Sequence, residues 1–343
     1  MASNKCANCG GMYEYSPTDK ALKCTKCATI KKVQTIYKVS PHAYVDDKDT
    51  FDNSWAKEVR HVKCKSCGAE VVLNKYEIIN QCSYCGNTAL VNIKENTAIT
   101  PDAIIPFKFN KNQALVHFQE GLRKKLFIPN ALKKKAPKVN LSSNYIGAYI
   151  FSGSATVKYS GVLQYKTTTK DSDGHTSTEY RSKRVNGSLK HIFNNKMYEC
   201  SDNLIQQELI EIMPYELLEI NGYKPEYLLG SMAEYSNMSV KDANIQLEKD
   251  IKNELGRIIL NKYNCDRIKT LNLNIEYDEK RYIYTLLPVY IFNYNYKKKQ
   301  YKTVMNGQTG KLGGNVPRST IKMLLMILFI VFFIGAILGF ILI

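Results

Sequence analysis

Apolar positions recur at helical spacing in two stretches of this 343-residue chain and alternate with polar ones in several others. Asn110 and Gln113 have the spacing of a capping box, and Leu115, Phe118, Leu122 and Leu126 follow with Arg123, Lys124 and Lys125 facing away, which predicts an amphipathic helix. Ser239 with Asp242 opens a longer one, whose apolar stripe is Val240, Leu247, Ile251, Leu255 and Ile258. Residues 144–169 and 179–193 are rich in Tyr, Val, Thr and Ile and predict strands around an Asp171-Ser172-Asp173-Gly174 turn. A meander through 269–275, 281–296 and 301–305 is closed by Asn306-Gly307, a favoured hairpin dipeptide. The stretch 98–318 therefore reads as one mixed α+β cytosolic domain.

Residues 323–343 show no periodicity because they are apolar throughout, with no charge, Asn, Gln or Pro in 21 positions. At about 1.5 Å per residue that is roughly 30 Å, the thickness of a bilayer core, which predicts one C-terminal transmembrane helix within a tail anchor at 319–343. No acidic residue follows Glu279, whereas Lys297, Lys298, Lys299, Lys302, Arg318 and Lys322 precede the helix. The positive-inside rule then places the body in the cytoplasm of a single-pass cell-membrane protein, with these six cations against anionic lipid.

Ten cysteines carry the candidate chemistry. Cys6 and Cys9 pair with Cys24 and Cys27, and Cys64 and Cys67 with Cys82 and Cys85; 14 residues separate the CxxC pairs in both copies, and the copies lie 58 residues apart. Paired CxxC knuckles on short hairpins are the layout of a four-thiolate zinc ribbon, a small β unit. A thioredoxin-like redox pair needs one CxxC beside a βαβ unit, and iron–sulfur clusters use tighter ligand runs, so two structural Zn2+ ions are expected, at 1–39 and 59–97. The polar, aperiodic stretch 40–58 reads as a linker, and Thr100-Pro101 and Ile105-Pro106 mark the domain boundary near 98.

Composition narrows the rest. With 44% hydrophobic residues the chain has enough material for a core, and its first residues lack an apolar signal region, so the cysteines point to a reducing compartment. The formal charge of +17 falls to 17 − 4 = +13 once two four-thiolate zinc sites, each net −2, are included. Lys5, Lys20, Lys23, Lys26, Lys31 and Lys32 with Tyr13, Tyr15 and Tyr37 around the first ribbon leave nucleic acid as an alternative partner. The chain shows no nucleophile with a base and no small-molecule site. Gly310-Lys311 lacks the Walker pattern, with Met305 where Gly is required and Leu312 where Ser or Thr is required, so no enzyme is expected. The five histidines are scattered, and Cys200 and Cys265 read as small core residues.

The order of paired CxxC ribbons, Ile104-Ile105-Pro106-Phe107-Lys108, Leu286-Leu287-Pro288-Val289-Tyr290, Val304-Met305-Asn306-Gly307-Gln308-Thr309-Gly310-Lys311 and an apolar C-terminal helix resembles the bacterial YdjG-like zinc-ribbon membrane proteins, whose ribbons are of the TFIIB and primosomal-helicase type. Ala148-Tyr149-Ile150-Phe151 departs from the Pro-Phe-Trp type of sequence that the resemblance leads one to expect after Gly147, and no helicase motor motif is present. The resemblance implies a membrane-anchored adaptor or scaffold that recruits a phage-shock A-type protein in an envelope-stress system.

Overall fold

The computed structural model describes residues 5–36, 39–45, 55, 59–74, 81–92, 99–135, 137–170, 176–200, 206–234 and 238–341. Three long antiparallel strands form its spine: β9 (Val139–Lys170), β10 (Thr176–Glu199) and β13 (Arg267–Tyr296). β9 lies between the other two, pairing with β10 from Ala148 outward and with β13 from Val139 to Gln164. The separate strands expected at 269–275 and 281–296 are thus one strand, bent by register shifts between Ile268 and Thr270 and between Tyr277 and Glu279.

Side-chain alternation on the spine assigns each face a cover. The odd residues Tyr145, Tyr149 and Phe151 of β9 meet the helices α1 (Lys111–Lys124) and α4 (Val240–Tyr263), whereas Ile146, Ala148 and Ile150 face the other way, toward α3 (Gln206–Ile212). Between Tyr284 and Phe292 β13 is buried on both faces, with Leu287, Val289 and Ile291 on one side and Leu286, Tyr290 and Phe292 on the other. That two-sided burial explains the near-continuous apolar run in its sequence.

Both predicted helices form with their capping boxes, at Asn110–Gln113 and Ser239–Asp242. α1 buries Ala114, Phe118 and Leu122, with Phe118 stacked on Phe292 at 4.3 Å, while Leu115 and Leu126 stay exposed. α4 buries Leu247, Ile251, Leu255 and Ile259 and ends on Asn264 in the left-handed region at φ 45°. α2 (Asn130–Lys134) is a single short turn that follows α1.

Twelve strands join in one sheet, so the chain is predominantly β, and this corrects the expected α+β balance. The second ribbon belongs to that sheet. Its strands β5 (Val59–Cys64), β6 (Glu70–Asn74) and β7 (Leu90–Asn92) connect through β6 to β12 (Met232–Glu234), which runs parallel to β9. The first ribbon keeps its own three-stranded sheet of β1 (Tyr13–Ser16), β2 (Ala21–Cys24) and β3 (Ile30–Lys32).

Part of the presumed linker is structured. β4 (His42–Ala43) pairs with Arg281 and Tyr282, His42 meets Asp102 at 2.7 Å, and Trp55 is fully buried with its indole N–H donating to the Tyr223 hydroxyl. The Asp171–Gly174 turn, the boundary at 98, Tyr37 and most of 46–58 lie outside the described residues.

The C-terminal expectation is also corrected. Residues from Thr320 do form a helix, α5 (Thr320–Ile341), but among the described residues no helix is long and apolar enough to cross a membrane. The transmembrane anchor and the single-pass cell-membrane, cytoplasm-facing location deduced from it are accordingly not supported.

Ser239 closes the orphan N–H groups at the start of α4. Ser239→Ala is expected to cost about 1 kcal/mol of global stability in urea unfolding, because α4 covers the outer half of the spine.

Candidate metal centres and docking groove

The two tetrads are assembled from four copies of one knuckle, two in each. The N–H five residues into the turn returns to the carbonyl of the first cysteine, as in Gly10 to Cys6, Ala28 to Cys24, Gly68 to Cys64 and Gly86 to Cys82. Gly10, Gly68 and Gly86 hold φ of 69°, 80° and 73°, a region that costs an L-residue free energy, and Ala28 takes the same position at φ 59°. This explains the glycine after three of the four pairs.

The Cys6, Cys9, Cys24 and Cys27 sulfurs lie within 4.8 Å of one another, as do those of Cys64, Cys67, Cys82 and Cys85. The Cys6–Cys27 and Cys9–Cys24 separations are 3.6 and 3.4 Å, and both Cys64–Cys85 and Cys67–Cys82 are 3.7 Å. A tetrahedral thiolate site with bonds of about 2.3 Å has edges of about 3.8 Å, so both tetrads can hold a metal ion. A hydrogen bond from the Tyr13 hydroxyl holds the Cys6 thiol down at about 6. Burial pushes Cys64 up, but the backbone N–H groups of Cys67 and Ser66 outweigh it and leave that thiol at about 7. Each tetrad thus has a thiol lowered toward neutral pH, and in the first the Thr29 hydroxyl lowers Cys27 as well.

The two tetrads are anchored differently. In the second, the Ser83 carbonyl, inside the Cys82–Cys85 turn, accepts from Asn293 Nδ2 at 2.6 Å and from Ser142 Oγ at 3.5 Å, so β13 and β9 both grip it. The first is held by the Tyr15 N–H donating to the Leu229 carbonyl and by Tyr15 packing edge-on against Tyr227 at 5.1 Å. Tyr13 and Tyr15, read from the sequence as stacking surfaces, are therefore turned inward, Tyr13 being 7% exposed.

The Asn306–Lys311 segment is a latch. Asn306 ends β14 (Lys299–Asn306), and β15 (Leu312–Gly314) follows the turn. The Asn306 side chain accepts from the Gln308 and Thr309 N–H groups and donates to the Ile212 and Pro214 carbonyls. Buried Gln308 accepts from the Glu216 N–H at 2.8 Å and donates to the Glu216 carbonyl and the Glu219 carboxylate. Lys311 reaches the Met213 carbonyl. Gly307 admits no side chain, since a Cβ there would meet Phe107 at 2.5 Å.

The segment so held, 212–220, carries a 3-10 turn at Leu217–Glu219 whose Leu218 is fully exposed. It stands at the mouth of a groove of about 690 Å³ lined by Ile150, Ile283, Leu217 and Ile220, with exposed Ile192 also on its wall. Lys190 and Arg281 flank the groove, with Glu279 paired to Arg281. Sequence reading singled out the latch motif but not its target. Leu218 sits in an irregular segment where no periodicity marks it.

A protein of Bacillus subtilis (strain 168), the uncharacterized protein YdjG, is 22% identical over 324 residues, covering 93% of this chain and 91% of that protein. The likeness supports a YdjG-like family. No family model matches the chain, and no solved structure matches it.

Five of the six cations expected at a membrane surface take part in turns, strands or polar contacts of the fold. Lys297 and Lys298, at φ 48° and 62°, form the two-residue turn between β13 and β14 that Lys299 continues. Lys302 pairs with Glu208 at 2.9 Å and Lys322 donates to the Ile128 carbonyl, while Arg318 is exposed.

Two outcomes follow from this geometry. Replacing Cys64 and Cys67 by Ser should raise amide exchange through β6, β12 and the middle of β9, whereas replacing Cys6 and Cys9 should raise it only through β1 to β3; identical exchange maps for the two variants would contradict the different anchoring. Gln308→Ala should destabilise by about 1–3 kcal/mol, the range for orphaning buried polar groups, with faster exchange at 216–220. Glu219 is held below its ordinary 4.5 first by the Lys108 ammonium and also by Gln308, so its share of the clamp is present above that pH and is lost as pH falls through the lowered value.

Proposed function

We propose that this chain is a non-catalytic adaptor in which structural Zn2+ at both tetrads fixes two ribbons and the groove beside Leu218 receives an apolar part of a partner protein. One observation carries the reading. Leu218 is fully exposed, yet the residues on either side are clamped by Gln308, so ordered structure is committed to displaying an apolar side chain. Exposed apolar groups held rigidly beside a concave floor suit binding, because little entropy is lost when they are covered. Four thiolates leave no open coordination position for substrate or water, which suits a structural role, and an all-thiolate tetrahedron suits zinc. The resemblance to YdjG-like proteins makes a phage-shock A-type protein the first partner to try, in an envelope-stress setting.

The test is a photo-reactive residue at position 218. In living cells it should give discrete protein adducts that disappear when Ile192→Asp is added; a chain with two bound zinc ions and no protein adduct would rule the adaptor out.

A further inference from the structure

We propose that the partner enters the groove as an extended acidic segment that adds a strand to the free edge of β10; this rests on the reading of the groove as a protein-binding site. β10 has 24 residues, against about 5–6 in an ordinary strand, and among the described residues it pairs with β9 alone. Its outer side is therefore a long row of backbone donors and acceptors, the kind of edge to which a peptide can hydrogen-bond as one more strand.

Backbone alternation shows which β10 residues face outward. The Asp266 N–H, just before β13, donates to the Gln164 carbonyl at 3.1 Å, and the Lys166 N–H donates to the Asp266 carboxylate, so the even residues of β9 turn their backbone groups toward β13. Their partners on β10 are also even, as in Lys190 opposite Thr156, and so turn their N–H and C=O away from β9. The Asn186 carbonyl already accepts from the Tyr263 hydroxyl at 3.4 Å, and a register shift follows Phe193, which leaves Ser188 to Ile192 as the open run. Side chains of these even residues stand on the face opposite α4, because Phe193 is buried against that helix and buried His191 lies beside its Glu254. Lys190 and Ile192 also line the groove, so a strand added here leads into it.

Charge selects the occupant. From Tyr180 to Met197 β10 has no acidic residue, and Lys158 and Lys190, exposed on the groove face, form no ion pair among the described residues. The acids of that face, Glu276 and Asp278, lie on β13, the strand farthest from this edge, and Asp278 accepts from the Ser154 and Thr156 hydroxyls. An acidic strand is therefore drawn to the β10 side. A second copy is disfavoured, since it would set one basic β10 against another, and cations on an edge guard against such pairing. In an antiparallel partner the residue opposite Ile192 is apolar and the residue two positions later, opposite Lys190, is acidic.

The experiment is a fluorescence-anisotropy titration of the intact, zinc-loaded chain into a labelled peptide, Thr-Leu-Thr-Glu-Val-Thr-Ser, whose Leu and Glu fall opposite Ile192 and Lys190. Saturable binding is expected, weakened about tenfold in Lys190→Glu, where an opposite-charge pair becomes a like-charge pair, and recovered when the peptide Glu is replaced by Lys. N-methylation of the peptide at Leu and Glu, whose N–H groups point at β10, should abolish binding, whereas N-methylation at the central Thr and Val should not. Unchanged melting temperature would show that the variant folds, and the methylated peptides test the parent chain itself. No saturation into the millimolar range, indifference to Lys190→Glu, or equal loss with both methylation patterns would overturn the proposal. So would self-association of the chain that is lost in Ser188→Pro, which removes an outward N–H and spares the ladder to β9. If the peptide fails while adducts at position 218 still form and vanish with Ile192→Asp, the edge falls and the groove reading stands; if the peptide binds and no adducts form, the edge stands and the adaptor reading falls.

Discussion

The antiparallel ladder between β9 and β13 constrains everything else, because it fixes which side chains face which cover along the spine. A slip of one residue would send Tyr145, Tyr149 and Phe151 to the face that now receives α3 and the second ribbon. It would also turn Ile146 and Ile150 toward α1 and α4. Few alternative registers could satisfy both covers, since the inner part of β13 is buried on each side. The latch depends on the same ladder. Pro288 on β13 accepts from the Gly307 N–H and the Tyr215 hydroxyl, so the turn that grips 212–220 is itself indexed to the spine.

The two ribbons show how one local unit serves different architectures. Their knuckles are almost superposable in hydrogen-bond pattern, and the sulfur spacings agree within a few tenths of an ångström. Yet β6 continues a twelve-stranded sheet, whereas β1 to β3 close on themselves. A metal ion in the second tetrad therefore bears on the spine, and one in the first bears mainly on a small attached module. The first ribbon passes close to Gly230, whose φ of 84° and bare Cα leave room for the Glu14 side chain.

The adaptor reading and the latch support each other physically. A buried amide such as Gln308 costs free energy unless its partners are in place, and here they lie on either side of Leu217 and Leu218. The polar motif thus stabilises one shape of the exposed turn and needs no catalytic role to account for its Gly and Asn content.

Local chemistry was legible in the sequence. CxxC spacing is a short-range property, so both tetrads followed from it; capping pairs located the starts of α1 and α4, but the stripes were only partly right, with Leu115 and Leu126 exposed while Ala114 is buried, and Ile259 taking the place of Ile258. Long-range choices were not legible. Nothing in residues 269–296 separates two strands from one bent strand, because the bend is decided by β9, and Lys297-Lys298 could be recognised as a turn only once both flanking strands were paired. The apolar C-terminal run determined a helix, but the membrane span read from its hydropathy is not supported, since among the described residues no helix is long and apolar enough to cross a membrane. The display of Leu218 depends on Gln308, about 90 residues away in sequence, and side chains that distant are brought together only by the packed sheet.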